Sequence, residues 1–316
     1  MKPLIVIAGP TAVGKTGLSI RLAKEIGGEI ISADSMQVYK HMDIGTAKIT
    51  EEEKEGVPHF LIDEFEPDEE FNVTVFQQRA KKYMNEIWGR GHIPILVGGT
   101  GFYIQAVVYD IEFKVEPDSS SVRKKYEDIL SESGKEYLYS LLRERDPEYA
   151  ADLSVNNTKK VIRALEFYES TGQKLSSHNE EERKKVSPYD VKYFVLTMDR
   201  EKLYKRIDSR VDMMFNEGLV SEVKWLLDHG YKRDLISMQG LGYKETAGAL
   251  SGEITMDAAK ELIKKGTRHF AKRQLTWFKR EKEVIWINKD DFKNDEDIIR
   301  YMMGVKTFQI RADVVK

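Results

Sequence analysis

The chain has 316 residues, of which 41% are hydrophobic and 33% are charged, and its formal net charge is −3. This size allows one large α/β domain with an appendage, or two modest domains. The lack of cysteine excludes disulfide bonds and thiolate metal sites and favours a cytoplasmic location. The net charge argues against a nonspecific polyanion binder, and no apolar stretch is long enough to cross a membrane.

The chain opens with a strand, a glycine-rich loop and a helix. Pro3–Ala8 is a short apolar run typical of a buried strand, and Gly17–Ile26 has apolar residues at helical spacing. Between them, the sequence GPTAVGKT matches the P-loop motif G-x-x-x-x-G-K-[ST]. Such a loop binds a diphosphate through backbone N–H groups, a lysine charge and a helix N-terminus, and its threonine binds Mg²⁺. The predicted diphosphate-binding residues are Gly9, Pro10, Thr11, Ala12, Val13, Gly14, Lys15 and Thr16, with Thr16 also the metal ligand.

Three further runs resemble strands, and helical patterns such as Thr74–Trp88 separate several of them. These runs are Glu29–Ala33, Val57–Asp63 and Ile93–Val97. The alternation predicts a doubly wound parallel α/β sheet, with ligands beyond the carboxyl ends of its strands.

Polar segments follow two of these predicted strands. Asp34 could be a Mg²⁺ ligand, a general base or a cap for the next segment. The segment Gly98–Gly101 reads GGTG, which is a tight turn or a second glycine-rich site at a strand end. A Walker-B strand would end on aspartate, so its absence here weakens the case for an ordinary ATPase.

The pattern changes after about residue 116. Only helices are predicted between residues 118 and 188, at Val122–Ser131, Glu136–Glu144 and Thr158–Ser170. We therefore divide the chain into residues 1–116, the first part of a P-loop α/β core; residues 117–188, an all-helical insertion domain; and residues 189–316, the rest of the core.

The last part of the chain mixes strands and helices again. Strands are predicted at Lys192–Thr197 and Val284–Ile287, and helices at Glu201–Asn216, Leu219–Asp228 and Thr255–Lys282. The final thirty residues carry no usable pattern.

Two predicted helices carry notable charges. Arg206 and Arg210 share a helix face, where they could bind a diphosphate or simply be solvated. Residues 260–282 contain nine basic residues but only two acidic ones, Glu261 and Glu281, with aromatic residues interleaved. This mixture fits a surface for single-stranded nucleic acid, although a solvated helix face with aromatic residues in the core behind it is equally compatible.

Together these motifs resemble the tRNA dimethylallyltransferases, also called tRNA isopentenyltransferases. The matching segments span most of the chain in the order that the family shows, and they are Gly9–Thr16, Asp34–Lys40, Asp43–Lys48, Pro58-His59, Gly98–Tyr103, Arg163–Glu166, Arg206–Arg210 with Met214 and Gly218-Leu219, Gly240–Tyr243 and Arg273–Lys279. Some eukaryotic relatives add a zinc finger, which the lack of cysteine excludes here, so the resemblance is to the bacterial form.

The resemblance implies a reaction. A dimethylallyl group moves from dimethylallyl diphosphate to the N6 amine of the adenosine 3′ of a tRNA anticodon, and diphosphate is released. The partners would be tRNA, through its anticodon loop, and dimethylallyl diphosphate; no obligate protein partner is implied. The P-loop would hold an isoprenoid diphosphate with Mg²⁺ as cofactor, which explains why no Walker-B aspartate is needed. Whether ATP also binds is left open.

The resemblance also implies roles for individual residues. Asp34 would be the general base, while Lys15, Thr16 and Arg210 would neutralise the departing diphosphate, and Thr100 would lie beside the flipped base. The residues implied to contact tRNA are Asp34, Ser35, Met36, Gln37, Thr100, Arg123, Lys159, Lys160, Val161, Ile162 and Arg163.

Two other functions fit part of the sequence. A P-loop small-molecule kinase that uses ATP would explain the P-loop and the arginine pair, but not the insertion or the basic helix. The second is an RNA-binding or structural protein with an inactive P-loop, but intact Lys15, Thr16 and Asp34 argue against it.

Overall fold

A computed structural model describes residues 1–113 and 119–305. Its centre is one six-stranded sheet in which every neighbouring pair of strands is parallel. In chain order the strands are β1 Pro3–Ala8, β2 Gly28–Ala33, β3 His59–Phe60, β4 Ile93–Gly98, β5 Asp190–Thr197 and β6 Ile285–Asn288. In space they run β3-β2-β4-β1-β5-β6. The predicted doubly wound parallel sheet is therefore confirmed.

Thirteen α-helices are found in the described residues. They are α1 Lys15–Ile26, α2 Glu51–Lys54, α3 Val73–Gly89, α4 Gly101–Val108, α5 Ser119–Arg145, α6 Pro147–Ala151, α7 Thr158–Thr171, α8 Leu175–Lys184, α9 Arg200–Glu217, α10 Leu219–Asp228, α11 Tyr243–Leu250, α12 Met256–Phe278 and α13 Asp295–Gly304. None of these is long and apolar enough to cross a membrane.

The central strands are almost wholly buried because helices cover the sheet. All six residues of β2 and five of the six in β1 are buried. Buried strands of this kind are mostly apolar rather than alternating, as β1 shows, although β2 also buries Glu29 and Ser32. The core packed around the sheet includes Leu18 and Leu22 of α1, Ile207 of α9 and Ile299 of α13.

The strand order places two glycine-rich loops next to each other. From β1 the chain first adds β2 and β3 toward one edge of the sheet, and β4 then fills the position between β2 and β1. The next strand, β5, lies on the opposite side of β1, toward the other edge. The order thus reverses at the β1–β4 pair, and loops leaving the carboxyl ends of such a pair form a crevice for ligands. The two loops that leave this pair are the P-loop and the segment Gly98–Gly101.

Residues 109–186 form a separate helical unit, and residues 1–108 with 187–316 form the other unit. This boundary lies eight residues before the predicted start of the insertion and two before its predicted end. Tyr126, Leu138 and Leu165 belong to the helical unit's own apolar core. Within α5, Gly134 has φ 80° and ψ 171°, so the helix breaks there, between the two helices that the sequence predicts.

Several predicted boundaries were wrong. The strand expected over Val57–Asp63 is paired only at His59–Phe60, and the helix expected to reach Lys282 ends at Phe278. Helix α13 lies in the final thirty residues, where no element was predicted. Its Asn294 N-cap and its buried Ile298, Ile299 and Met302 are the signals that sequence reasoning missed. Residues 306–316 lie outside the described part of the chain.

Candidate active site

The P-loop connects β1 to α1 through a backbone that only particular residues adopt easily. Gly9 has φ 142° and Gly14 has φ 93°, both in the region that disfavours side chains. A Cβ on Gly9 would also lie 2.6 Å from the carbonyl oxygen of Leu196 in β5. These two glycines are therefore required by conformation, as the motif predicts. Thr16 lies exposed in the first turn of α1.

Lys15 folds back over the loop. Its Nζ donates to the carbonyl oxygens of Gly9 at 3.0 Å and Pro10 at 2.9 Å. Burial lowers the pKa of Lys15 from 10.5 to about 8; the charge of Asp34 opposes this shift and that of Arg210 adds to it. The ammonium group is thus desolvated, and an anion bound beside it would strongly stabilise its charged form.

Two arginines of α9 reach the same loop. Arg206 donates from Nε to the carbonyl oxygen of Ala12 at 2.8 Å, and an Nη of Arg210 lies 3.5 Å from Oγ1 of Thr11. Burial, followed by repulsion from Arg206, lowers the pKa of Arg210. The view of this pair as merely solvated was wrong, because both guanidinium groups contact the P-loop. With Lys15 they place three cations around one loop.

Asp34 lies directly after β2 and uses one carboxylate oxygen as a cap. Its Oδ1 accepts from the backbone N–H of Met36 at 2.9 Å and of Gln37 at 3.3 Å. The capping role weighed from the sequence is therefore confirmed. Within the described chain, Oδ2 accepts no hydrogen bond and is available to another group. The charge of Asp34 reaches both Lys15 and Tyr103, where it contributes to a raised tyrosine pKa after the larger effect of burial.

The segment after β4 packs tightly against β2 and α12. The Thr100 N–H donates to the carbonyl oxygen of Ala33 at 3.2 Å, which places Thr100 beside the residue preceding Asp34. A Cβ on Gly98 would lie 2.1 Å from that same oxygen. A Cβ on Gly99 would lie 2.1 Å from the Gln274 amide nitrogen. These glycines have ordinary φ angles, so close packing rather than a special turn requires them.

Gln274 of α12 joins the two glycine-rich loops, and sequence reasoning did not single it out. Its Oε1 accepts from the Thr11 N–H at 2.9 Å, and its Nε2 donates to the Gly99 carbonyl at 3.0 Å. The side chain is buried. A polar residue inside the RQLTWFK segment, on the side of α12 that carries Ala271 and Phe278, was the available signal.

The segment after Asp34 is held mainly by its own neighbours. The Gln37 amide donates to the carbonyls of Thr46 at 3.3 Å and Ala47 at 3.2 Å, so it is already engaged. Met36 packs where a Cβ on Gly240 would lie, 2.5 Å from its Cε. Ser35 is partly exposed. Of these three residues, all implied by the resemblance to contact tRNA, Ser35 alone has no described contact of its side chain.

A half-buried carboxylate explains two further motifs, DIGTAK and GLGY, in structural terms. Glu222 of α10 accepts the successive backbone N–H groups of Asp43, Ile44 and Gly45 at 2.7–3.0 Å. It also accepts the hydroxyl of fully buried Tyr243 at 2.7 Å. These bonds fix the loop that follows Asp34 to α10 and α11.

In the helical unit, the residues predicted to contact tRNA are either charged or apolar, and the charged ones are accessible. Lys159, Lys160 and Arg163 are exposed on α7. Arg123 and Arg163 lie 3.8 and 3.6 Å from the buried carboxylate of Glu166, whose Oε2 has no hydrogen bond.

Val161 and Ile162 behave differently from these charged neighbours. Both side chains are buried in the core of the helical unit. Any contact they make with RNA would therefore come from the backbone, and their role in tRNA binding stays a prediction.

The basic residues of α12 also form two groups. Lys260 and Lys264 pair with Asp212 at 2.8 and 2.9 Å, and Arg268 pairs with Asp208, both aspartates being on α9. The expectation that the basic charge goes unbalanced was wrong for this face. Other exposed cations, with no ion-pair partner in the described chain, lie elsewhere along α12 and just past its end at Phe278, and we call them the basic stripe: Lys265, Lys272, Arg273, Lys279 and Arg280.

The described residues contain no cluster of three or more histidine, aspartate or glutamate side chains that could hold a metal ion. A magnesium ion bound mainly by diphosphate oxygens and water needs only one or two protein oxygens. The exposed Thr16 hydroxyl meets that requirement.

Comparison with known proteins agrees with this geometry. Residues 37–281 match the family model described as IPP transferase. The chain is 56% identical over 307 residues to the tRNA dimethylallyltransferase of Lachnoclostridium phytofermentans, covering 97% of this chain and 98% of the relative. It is 52% identical over 300 residues to that of Acetivibrio thermocellus, covering 95% and 96%.

Solved structures give the same answer. A tRNA isopentenylpyrophosphate transferase from Bacillus halodurans is 42% identical, with a TM-score of 0.74 and 99% of each chain covered. A eukaryotic dimethylallyltransferase acting on tRNA is 31% identical, with a TM-score of 0.81, covering 98% of this chain and 81% of that one. This chain therefore belongs to the IPP transferase family, the family of the tRNA dimethylallyltransferases.

Proposed function

We propose that this protein transfers the dimethylallyl group of dimethylallyl diphosphate to the N6 amine of the adenosine 3′ of a tRNA anticodon. The observation that carries the proposal is the convergence of Lys15, Arg210 and Asp34 at the carboxyl ends of β1 and β2. Cations there suit a leaving diphosphate, and the carboxylate beside them suits a proton acceptor. Membership of the family supports the same reaction.

The P-loop holds the diphosphate of the donor. The first N–H groups of α1 and the loop provide hydrogen bonds, and the helix N-terminus favours an anion. When the allylic C–O bond breaks, negative charge develops on the diphosphate oxygens. Lys15, Arg206 and Arg210 are already in place around this loop, so they stabilise that charge without reorganisation.

Magnesium is the proposed cofactor, with the Thr16 hydroxyl as its protein ligand. When bound, the ion would neutralise part of the diphosphate charge.

Asp34 acts as the general base. The exocyclic amine of adenine is a weak nucleophile, so losing its proton as the new C–N bond forms lowers the barrier. Oδ1 is occupied by two backbone N–H groups, which fix the orientation of the carboxylate. The unengaged Oδ2 receives the proton, and diphosphate leaves with the electron pair of the broken C–O bond.

The tRNA is bound through its anticodon loop, in which the adenosine can be extruded at low cost. The basic stripe of α12 neutralises its phosphates in this proposal. In the helical unit, Lys159, Lys160 and Arg163 do the same. We place the protein in the cytoplasm, where its substrate tRNA is found.

Mass spectrometry of tRNA incubated with the protein and dimethylallyl diphosphate tests the proposal. We expect a mass increase of one dimethylallyl group less one hydrogen, confined to the fragment with the anticodon-adjacent adenosine. Isopentenyl diphosphate is the matched control and should be a poor donor, because its C–O bond is not allylic and no stabilised cation can develop. Unmodified tRNA together with phosphate transfer from ATP to a small alcohol would favour the kinase instead.

A further inference from the structure

Two aromatic rings meet where α4 begins, an exposed one from α4 and a half-buried one from α12. Phe102 is 40% exposed, and its ring meets the Trp277 ring of α12 edge to face, with centroids 6.1 Å apart and an interplanar angle of 67°. The indole packs against the backbone of Gly101, where a Cβ would lie 2.2 Å from Cδ1. Its Nε1 donates to Glu281 at 3.1 Å, so the polar atom of the indole is satisfied. We call Phe102 and Trp277 the aromatic pair.

The aromatic pair lies close to the proposed acceptor site. Phe102 follows Thr100 by two residues, which is at most about 7 Å along the chain. Thr100 in turn is hydrogen-bonded to Ala33, the residue before Asp34. When a base of the tRNA is presented to Asp34, the nucleotides next to it in the RNA chain would therefore lie near the aromatic pair.

The charges around the pair suit a nucleotide. Trp277 lies one helical turn after Arg273, and the N–H of Arg280 donates to the Trp277 carbonyl oxygen in the turn that follows α12. Both arginines belong to the basic stripe. Glu281, the nearby acid, is engaged by the indole N–H. Aromatic rings bordered by cations are the combination that binds unpaired nucleotides, since the ring stacks on the base while the cation meets the phosphate.

Extruding one base from a loop also leaves its neighbours without a stacking partner. We propose that the aromatic pair stacks on the base directly next to the target adenosine, on one side of it, and so selects which loop sequences are modified. This inference rests on the proposed function and extends it to a residue that sets specificity. Every base has a face to stack, but purines offer more area than pyrimidines, so the pair would favour a purine at that position.

A cycle of RNA and protein changes tests this inference. tRNA is assembled by ligation with an abasic nucleotide either directly 5′ or directly 3′ of the adenosine. Its affinity and the kcat/KM of transfer are measured with wild type and with Phe102→Leu, which keeps an apolar side chain but removes the ring. We expect the abasic nucleotide on one side to cost wild type about 5- to 100-fold, and to cost Phe102→Leu almost nothing.

Two matched variants sharpen the result. Phe102→Tyr retains the ring and should keep both the wild-type affinity and the wild-type sensitivity to the missing base. The inference would be overturned if, at both neighbouring positions, the abasic nucleotide lowered the tRNA affinity of Phe102→Leu by the same factor as that of wild type. So would weaker binding of dimethylallyl diphosphate by Phe102→Leu, since that would place the ring in the donor site. Wild type that binds intact tRNA without modifying it would instead contradict the proposed function, while the affinity cycle still tests the aromatic pair.

Discussion

The charged residues at the strand ends and those of the basic stripe are held in opposite ways. At the P-loop, Lys15 and Arg210 are desolvated enough to lower their pKa values, and each contacts the loop it serves. In the basic stripe, residues such as Lys272 and Lys279 are exposed and have no ion-pair partner among the described residues. Groups held rigidly can stabilise charge that develops during a reaction, whereas mobile, solvated groups contribute mainly long-range attraction.

This contrast separates catalysis from binding. Changes at the strand ends should act on turnover and on the donor, and changes in the basic stripe should act on tRNA affinity and its dependence on salt. Gln274 lies in α12, but its side chain contacts the loops at the strand ends. A change at Gln274 therefore tests whether contact with the strand ends, rather than position in α12, decides which function a residue serves.

The largest effect is expected for Asp34→Asn. This change keeps the size of the side chain and an oxygen for the cap but removes the proton acceptor. Turnover should fall about 10²- to 10⁴-fold while tRNA affinity stays nearly unchanged. Single-turnover transfer and a separate tRNA titration measure the two quantities. Wild-type turnover in Asp34→Asn would end the assignment of Asp34 as base.

The next effect concerns the cations around the P-loop. Lys15→Ala and Arg210→Ala should each lower kcat/KM for dimethylallyl diphosphate about 10²- to 10³-fold. The double variant should lose less than the product, because both groups act on one leaving group. Lys205→Ala, an exposed residue of the same helix, is the control and should be neutral. Strictly multiplicative losses would mean that Arg210 acts elsewhere.

Replacing three residues of the basic stripe should affect tRNA rather than the donor. Lys265, Lys272 and Arg273 changed together to alanine should lower tRNA affinity about 10- to 100-fold at moderate salt. For each lost phosphate contact, the slope of log affinity against log salt should decrease by about 0.7–0.9. Affinity for dimethylallyl diphosphate should not change.

The paired face of α12 provides the matched control for this triple variant. Lys260, Lys264 and Arg268 are equally basic but already neutralised by α9. Changing these three to alanine should leave the salt slope for tRNA as it is in wild type. Equal slopes in all three proteins would assign tRNA binding to the helical unit alone.

Gln274→Met tests the link between α12 and the strand ends. Methionine matches the volume but cannot bond the Thr11 N–H or the Gly99 carbonyl, and an unsatisfied buried group costs about 1–3 kcal/mol. We expect the free energy of unfolding to drop by about that amount, and donor affinity to fall while the salt slope for tRNA is unchanged. Urea unfolding and donor titration measure these effects. Normal donor affinity in a destabilised variant would give Gln274 a role in packing only.

The sequence predicts the elements whose signals are local. The apolar runs of buried strands and the P-loop motif need no information from distant residues, and both are found where expected. Position 98 shows the limit of such reasoning. Gly98 suggests a turn, yet it is required because β2 lies so close that a side chain would collide with Ala33.

Charge pairing across helices could not be predicted for the same reason. Counting charges within residues 260–282 gives a large excess of basic residues, but their partners Asp208 and Asp212 lie about 50 to 60 residues earlier in the chain. Likewise, Arg206 and Arg210 were recognised as sharing a face, but only the packing of α9 shows that this face meets the P-loop.

The smallest effect concerns pH. Because the pKa of Lys15 is about 8 before the donor binds, the charge that attracts the diphosphate is present below pH 8 and is lost above it. Between pH 7 and 9, kcat/KM for dimethylallyl diphosphate should fall about tenfold with an apparent pKa near 8. In Lys15→Arg the charge persists, so this decrease should disappear even if the absolute rate is lower. A wild-type profile that stays flat to pH 9 would contradict the lowered pKa.

The same group should affect stability with the opposite sign. The folded pKa lies below 10.5, the value expected in the unfolded chain, so the unfolded state binds more protons between about pH 8 and 10.5. The free energy of unfolding therefore rises with pH in this window, as the cost of burying a charged lysine disappears. Relative to Lys15→Met, which carries no charge at any pH, wild type should gain stability as pH increases while its kcat/KM decreases. Urea unfolding measures this stability difference. A difference that does not change with pH would show that the Lys15 ammonium group is not desolvated and stays protonated above pH 8.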